Sequence, residues 1–209
     1  MKKGIMALIG MIVSLVFIIV AFFGPWYTMN MKSSTVGPTM DYNVGIYLRT
    51  MDVNGNFMGQ DVSMSMSYAD AASQAQTSGV NADSFKIIDY MMYLTVGTLV
   101  TAILALIGML GFVFNFGNAN RMRMLGIVFG IITFILAIAA PLYFMNTSFT
   151  QGNYGFWFSQ TISGVSLSAG PGFAWYLMIV AAIIALIASV AMLLKKSAPE
   201  TVTPTPPAQ

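Results

Sequence analysis

The chain has 209 residues, of which 57% are hydrophobic and only 8% are charged, and its formal net charge is +2. This composition supplies too little polar surface to cover a soluble globule, so lipid is the expected solvent. The sequence contains no cysteine and no histidine, which excludes disulfides, thiolate chemistry and imidazole-based catalysis or metal binding. We therefore expect a membrane protein that is not an enzyme and holds no cofactor or metal.

Four apolar runs are long enough to cross a hydrocarbon core of about 30 Å as helices. The basic start of the chain would also suit a secretory signal peptide, but the first run is longer than usual and no small-residue cleavage site precedes Gly24. The predicted fold class is an all-α transmembrane four-helix bundle, in which residues 1–196 form one membrane domain. Its predicted helices cover residues 5–24, 87–116, 124–144 and 173–194.

The basic residues predict the orientation, because Lys and Arg in short flanking loops stay on the cytoplasmic side. The predicted extracellular side has three basic residues and six aspartates. We therefore expect a multi-pass cell-membrane protein with cytoplasmic termini, a cytoplasmic loop over 117–123, and extracellular loops over 25–86 and 145–172. The low net charge reflects this topology and indicates no nucleic-acid binding. The predicted cytoplasmic side carries Lys2, Lys3, Arg121, Arg123, Lys195 and Lys196.

The first extracellular loop has the alternating pattern of β-strands. Asn54-Gly55 lies between two strand-forming stretches within residues 43–68. This dipeptide favours a hairpin turn, because both central positions of a type I′ turn need a positive φ. The turn would pair Met51 with Met58, which places methionines on one face of the hairpin and serines on the other.

Two further elements are expected beside this hairpin. Residues 27–36 read as a third strand, and residues 68–77, rich in Ala and Gln, read as a short surface helix. The prediction is therefore a small antiparallel β-sheet in the first extracellular loop, seated on the outer end of the bundle.

The remaining segments outside the membrane have few predicted features. The short second loop begins with an N-glycosylation sequon at Asn146. Its closeness to the membrane favours an unmodified side chain over a glycosylated one. The tail over residues 197–209 is rich in Pro and Thr, and we expect it to be disordered because it cannot pack a core.

Small residues recur at helical spacing in the later spans, as in the motif that runs from Gly126 to Gly130. Rows of this kind let helix backbones approach each other in lipid, so they predict helix–helix seams. Packing within one chain is the expected use of these rows. A dimerisation face between two chains is the alternative.

The cores of the four spans contain no charged residue, which argues against a carrier or an ion pathway. Asp89, at the outer end of the second span, is interpreted as an interfacial partner of Lys86, one helical turn before it. A cation site at Asp89 is the alternative. Thr95, Thr98 and Thr101 line one side of the same span, and we expect their hydroxyls to bond to their own helix. No small-molecule substrate is evident.

The order of these parts resembles the claudin and peripheral myelin protein superfamily, whose members share four spans, a strand-rich first outer loop and cytoplasmic termini. Trp26, just past the first span, matches the first tryptophan of that family's loop signature. The family's following Gly-Leu-Trp and its cysteine pair have no counterpart in this chain. The resemblance implies an adhesion, barrier or accessory-subunit role.

These observations predict a non-catalytic membrane scaffold that binds a protein partner, or further copies of itself, through the extracellular sheet and the helix faces. An oligomeric channel or small-solute conductor is the alternative. The structural or interface candidates are Trp26, Asn54, Gly55, Gly126 and Gly130.

Overall fold

The computed structural model describes residues 2–33, 40–77, 83–146 and 155–194. Within these residues the chain forms five helices and six strands. In chain order they are α1 (Lys2–Phe23), β1 (Tyr27–Ser33), β2 (Met40–Ile46), β3 (Thr50–Phe57), β4 (Gln60–Ser67), α2 (Tyr68–Thr77), α3 (Asp83–Val113), α4 (Ala119–Met145), β5 (Phe158–Ile162), β6 (Val165–Pro171) and α5 (Phe173–Leu193). The tail over residues 197–209 lies outside the described residues.

Four of the helices, α1, α3, α4 and α5, are long and apolar enough to cross a membrane. They follow the four predicted spans, and the main differences are at the start of α3, which begins at Asp83 rather than at 87, and at the connection between α3 and α4. There α3 ends early because Asn115 adopts a positive φ of 56° and the Phe116 amide bonds back to the Gly111 carbonyl at 2.8 Å. The next helix starts at Ala119 because the Asn118 side chain accepts hydrogen bonds from the first-turn amides.

The helices pack through small residues. A Cβ atom added to Gly108 on α3 would lie 2.8 Å from the Cα of Gly126 on α4. A Cβ atom added to Gly130, also on α4, would collide with the Ser189 hydroxyl of α5. Both glycines of the predicted motif, Gly126 and Gly130, are thus buried in seams within one chain.

The six strands form one antiparallel sheet in the order β4-β3-β2-β1-β6-β5. Tyr27, at the start of β1, aligns with Ile46 of β2 on one side and with Pro171 of β6 on the other. The sheet therefore draws two of its strands from the second loop. The prediction of a sheet confined to the first loop is corrected in this respect, and the fold is a mixture of helix and sheet rather than strictly all-α.

The connections between bundle and sheet explain why the second loop joins it. Strand β1 begins just after α1 ends at Phe23, and β6 ends at Pro171, just before α5 begins at Phe173. Helices α1 and α5 pack against each other. The strand that leaves α1 and the strand that enters α5 are therefore held side by side, where they can form a ladder.

The β3–β4 hairpin turns at Met58-Gly59 and not at the predicted Asn54-Gly55. Met58 and Gly59 have φ angles of 54° and 83°, as a type I′ turn requires. Asn54 and Gly55 lie inside β3, where Asn54 aligns with Ser63 of β4. The predicted separation of methionines and serines holds within the strands, because moving the turn by an even number of residues leaves the alternation of faces unchanged.

A close approach between strands, rather than a turn, requires glycine at position 55. A Cβ atom added to Gly55 would collide with the Asp41 carbonyl oxygen of β2 and would lie 2.7 Å from Cδ1 of Tyr42. A glycine inside a strand often marks such an approach of two backbones.

Candidate functional site

An aromatic cluster joins the sheet to the bundle. The ring centroids of Tyr27 and Phe144 are 6.0 Å apart, and those of Phe144 and Phe156 are 6.1 Å apart, both in edge-to-face geometry. The Tyr27 hydroxyl donates a hydrogen bond to the Phe156 carbonyl at 3.0 Å. The indole of Trp175 donates to the Pro141 carbonyl at 3.1 Å. These contacts tie β1, α4, α5 and the start of the second loop's hairpin into one packed unit.

Trp26 belongs to this junction rather than to a free surface. It is only 1% exposed, its ring centroid lies 6.3 Å from that of Phe144, and its indole donates to the Ala21 carbonyl at 3.1 Å. Trp26 is therefore a packed residue of the junction between α1 and the sheet. Phe156, whose part in the core the sequence did not indicate, is buried in the same hydrophobic cluster.

Tyr68 connects the corner between β4 and α2 to the residues just before and at the start of β3 by hydrogen bonds. Its buried hydroxyl donates to the carbonyls of Tyr47 and Thr50, the latter at 2.9 Å. Burial, reinforced by the negative charge of Asp52, raises the pKa of Tyr68 far above its usual range. The neutral phenol is therefore the form that the folded sheet requires.

Replacing Tyr68 with Phe should weaken the sheet domain by about 1 kcal/mol at neutral pH, because the Tyr47 carbonyl loses its phenolic donor, whereas the Thr50 carbonyl still accepts from the Tyr47 amide. In the wild type, the stability that depends on neutral Tyr68 is present below about pH 10 and declines at higher pH as the unfolded phenol ionises. The difference between wild type and Tyr68→Phe in protease resistance should thus narrow between about pH 10 and 12. A constant difference across that range would contradict this role. Tyr42→Phe changes a half-buried ring of β2. This variant should lose protease resistance at alkaline pH as the wild type does.

One face of the sheet is polar and solvent-facing, and we call it the polar face. Asn43 donates to Asn30 at 2.6 Å, and Ser65 donates to Asp52 at 2.6 Å. Cross-strand hydrogen bonds of this kind stabilise a sheet without needing a partner. The polar face comprises Thr28, Asn30, Lys32, Asp41, Asn43, Asp52, Asn54, Asn56, Asp61, Ser63, Ser65, Ser159, Thr161, Ser166 and Ser168.

The opposite face is rich in methionine, and we call it the apolar face. Where the strands meet the bundle, it is buried at Tyr27, Ile46 and Ala169. On the edge strand β4, Met64 is 52% exposed and Val62 is also exposed. The apolar face comprises Tyr27, Met29, Met31, Tyr42, Val44, Ile46, Met51, Val53, Val62, Met64, Met66, Leu167 and Ala169.

Buried hydroxyls in the bundle are hydrogen-bonded to backbone carbonyls. Thr95, Thr98 and Thr101 donate to carbonyls of their own helix at 2.8, 2.7 and 3.0 Å, as expected. Ser14 donates to the Ala181 carbonyl at 2.8 Å and so links α1 to α5. Among the described residues, no buried side-chain polar atom lacks a partner.

Two polar residues cap helix ends at opposite ends of the bundle. Arg123 donates to the carbonyls of Met192 and Leu193 at 3.0 and 2.7 Å, where its charge also suits the C-terminus of α5. Asn146 is exposed, and its side-chain amide donates to the Leu142 carbonyl at 2.8 Å. The rest of the sequon at Asn146 lies outside the described residues.

Other predicted sites are only partly described. Asp89 is exposed, while the side chain of Lys86, its predicted partner, lies outside what the structure describes. Within the described ranges, no group of three or more acidic residues could hold a metal ion.

The comparisons with known proteins add no assignment. Neither a protein-family model nor a curated protein matches the sequence. The four candidate membrane helices and the sheet fit the general architecture that the sequence suggested.

Proposed function

We propose that this protein is a non-catalytic membrane scaffold that binds a protein partner through its sheet. The observation that carries the proposal is the apolar face, which the bundle covers only at its near end. Exposed large apolar side chains that adjoin a buried core form a contiguous patch. Such a patch often marks an interaction surface, whereas apolar side chains scattered singly do not. Met64 and Val62 continue the same face as the buried Ile46.

The rigid attachment of the sheet supports a scaffold role. Strands β1 and β6 run directly from and into membrane-spanning helices, and the aromatic cluster fills the junction. A surface held in this way loses little conformational entropy on binding, which favours affinity. The bonded hydroxyls of the bundle support a packed scaffold more than a conducting pore, and an absence of flux in reconstituted liposomes would agree with this choice.

In this proposal the sheet lies outside the cell and both termini lie in the cytoplasm. Arg121 and Arg123 lie at the start of α4, at the end of the bundle opposite the sheet, and retained basic residues favour the cytoplasmic side. A sheet on a claudin-like bundle would then act in adhesion, in a barrier or as an accessory subunit.

Photo-crosslinking in native membranes tests the proposed surface. A photoreactive residue at Met64, on the apolar face, should give a discrete adduct with a protein partner. The same residue at Asn54, which is exposed on the polar face, should give several-fold less adduct, because that face already bonds within itself. Equal yields at the two positions, or no adduct at near-native abundance, would contradict partner binding through the apolar face.

A further inference from the structure

The edge strand β4 has an uncommon combination of length and exposure. It pairs with β3 over eight consecutive residue pairs, from Thr50–Ser67 to Phe57–Gln60, without a bulge. Residues 60–65 are all exposed. Natural edge strands are usually protected by Lys, Pro, a bulge or shortness. Strand β4 has no Lys or Pro, and Asp61 is its only charged residue. The opposite edge, β5, has only five residues.

The hairpin geometry shows which backbone groups of β4 face outward. In a two-residue hairpin the residues that flank the turn, Phe57 and Gln60, form the hydrogen-bonded pair. Hydrogen-bonded and non-hydrogen-bonded pairs then alternate along the ladder. Asp61, Ser63 and Ser65 fall at non-hydrogen-bonded positions, so their N–H and C=O groups point away from β3.

The side chains at these positions leave the edge uncovered. Ser63 donates to Asn54 at 2.8 Å, and Ser65 donates to Asp52 at 2.6 Å. Asp61 accepts a hydrogen bond from the Asn56 amide at 3.0 Å. All three side chains are thus engaged with β3, and none is directed over the outward backbone groups.

We propose that β4 binds an extended segment of a partner protein, which adds to the sheet as a seventh strand. This inference rests on the proposed function and specifies its recognition mode. Main-chain hydrogen bonds would supply affinity, and alternate side chains would supply specificity. Because an added strand continues both faces, the segment must alternate apolar residues beside Val62 and Met64 with polar residues beside Ser63.

A partner segment fits this edge better than strand β5 of a neighbouring copy does. A contact between β4 of one copy and β5 of the next would match eight residues to five. Such a head-to-tail contact would also repeat around a ring or along a filament instead of forming a closed pair. A symmetric contact between two β4 strands is the alternative occupant, and crosslinking between two copies of the chain would identify it.

The test uses the full chain in lipid nanodiscs and a fluorescent peptide of residues 60–67, whose Val62, Met64 and Met66 alternate with polar residues. A peptide of the same composition with its apolar residues contiguous is the control probe. The alternating peptide should bind at least about tenfold more tightly than the control. Equal binding of the two peptides, or no binding of either, would overturn the proposal.

A matched pair of variants locates the binding to the edge. Ser63→Pro removes the outward N–H without removing a ladder hydrogen bond, whereas Ser63→Ala keeps that N–H and removes only the hydroxyl. Ser63→Pro should weaken binding of the alternating peptide by at least about tenfold, and Ser63→Ala by less than about twofold. Ser65→Pro repeats the test if Ser63→Pro loses protease resistance. Equal binding by the Pro and Ala variants would refute strand addition at β4.

Crosslinking in native membranes separates this inference from the proposed function. If the Met64 adduct persists unchanged in Ser63→Pro, partner binding stands and strand addition fails. If the peptide binds as expected but no partner adduct forms, the proposed function fails while the edge remains competent. An adduct that joins two copies of the chain and disappears in Ser63→Pro would identify a second copy as the occupant and overturn the assignment to a partner protein.

Discussion

Replacing Gly55 with Asn should destabilise the sheet by about 3 kcal/mol, because its Cβ would strike the Asp41 carbonyl of the neighbouring strand. The same replacement at Gly59 should cost about 1 kcal/mol, since that turn position has open space and Asn tolerates a positive φ. Protease digestion in nanodiscs would report the difference. Cleavage within the sheet should be on the order of 100-fold faster for Gly55→Asn than for wild type.

The comparison of the two glycines distinguishes the two hairpin registers. A turn at Asn54-Gly55 would accept Asn at position 55 and would place Gly59 within a strand, so the order of the two effects would be reversed. Ser65→Thr, on the exposed polar side of β4, controls for adding volume to the sheet and should digest like the wild type. If Gly55→Asn proved the more resistant of the two glycine variants, the observed register would be wrong.

Replacing Gly108 with Ala should loosen the seam between α3 and α4. The added Cβ would lie 2.7 Å from Cδ2 of Leu125 and 2.8 Å from the Cα of Gly126, and backbone atoms cannot move aside as a side chain can. We expect a loss of about 3 kcal/mol and a fall of roughly 5 to 10 °C in the thermal midpoint in detergent.

Gly97→Ala on the same helix is the matched control for this substitution. Its Cβ would lie 3.6 Å from Cδ1 of Leu136, an ordinary contact, and Ala favours a helix over Gly. The thermal midpoint of Gly97→Ala should therefore equal or exceed that of the wild type. Equal midpoints for Gly97→Ala and Gly108→Ala, measured by tryptophan fluorescence, would show that the close approach at Gly108 does not limit stability.

The amino-acid sequence by itself determines the features that depend on local chain properties. The four membrane-length helices follow from uninterrupted apolar runs, because a helix in lipid must satisfy its own backbone. The short helix Tyr68–Thr77 and the strand Tyr27–Ser33 also lie close to where composition and alternation predicted them. The two faces of the hairpin follow from alternation alone, which an even shift of register preserves.

Only the tertiary structure decides features that depend on which segments meet. Asn54-Gly55 has the stronger local turn preference, yet pairing of β3 with β2 from Met51 to Phe57 keeps both residues in the strand, and Met58 takes the positive φ instead. Strands β5 and β6 have a turn signal at Ser163-Gly164, which adopt φ angles of 51° and 81°. Their place in the sheet nevertheless depends on β6 lying beside β1, which follows from the packing of α1 against α5.

The aromatic residues beside the spans show the same division. Composition predicts that rings gather where helices leave the membrane, because amphipathic rings favour the interface. It does not separate Trp26 and Phe144, which are buried in the junction, from Tyr90 and Tyr93, which remain exposed. That distinction requires the sheet to be in place, because Phe144 packs against Tyr27 at the start of β1 and against Phe156 before β5.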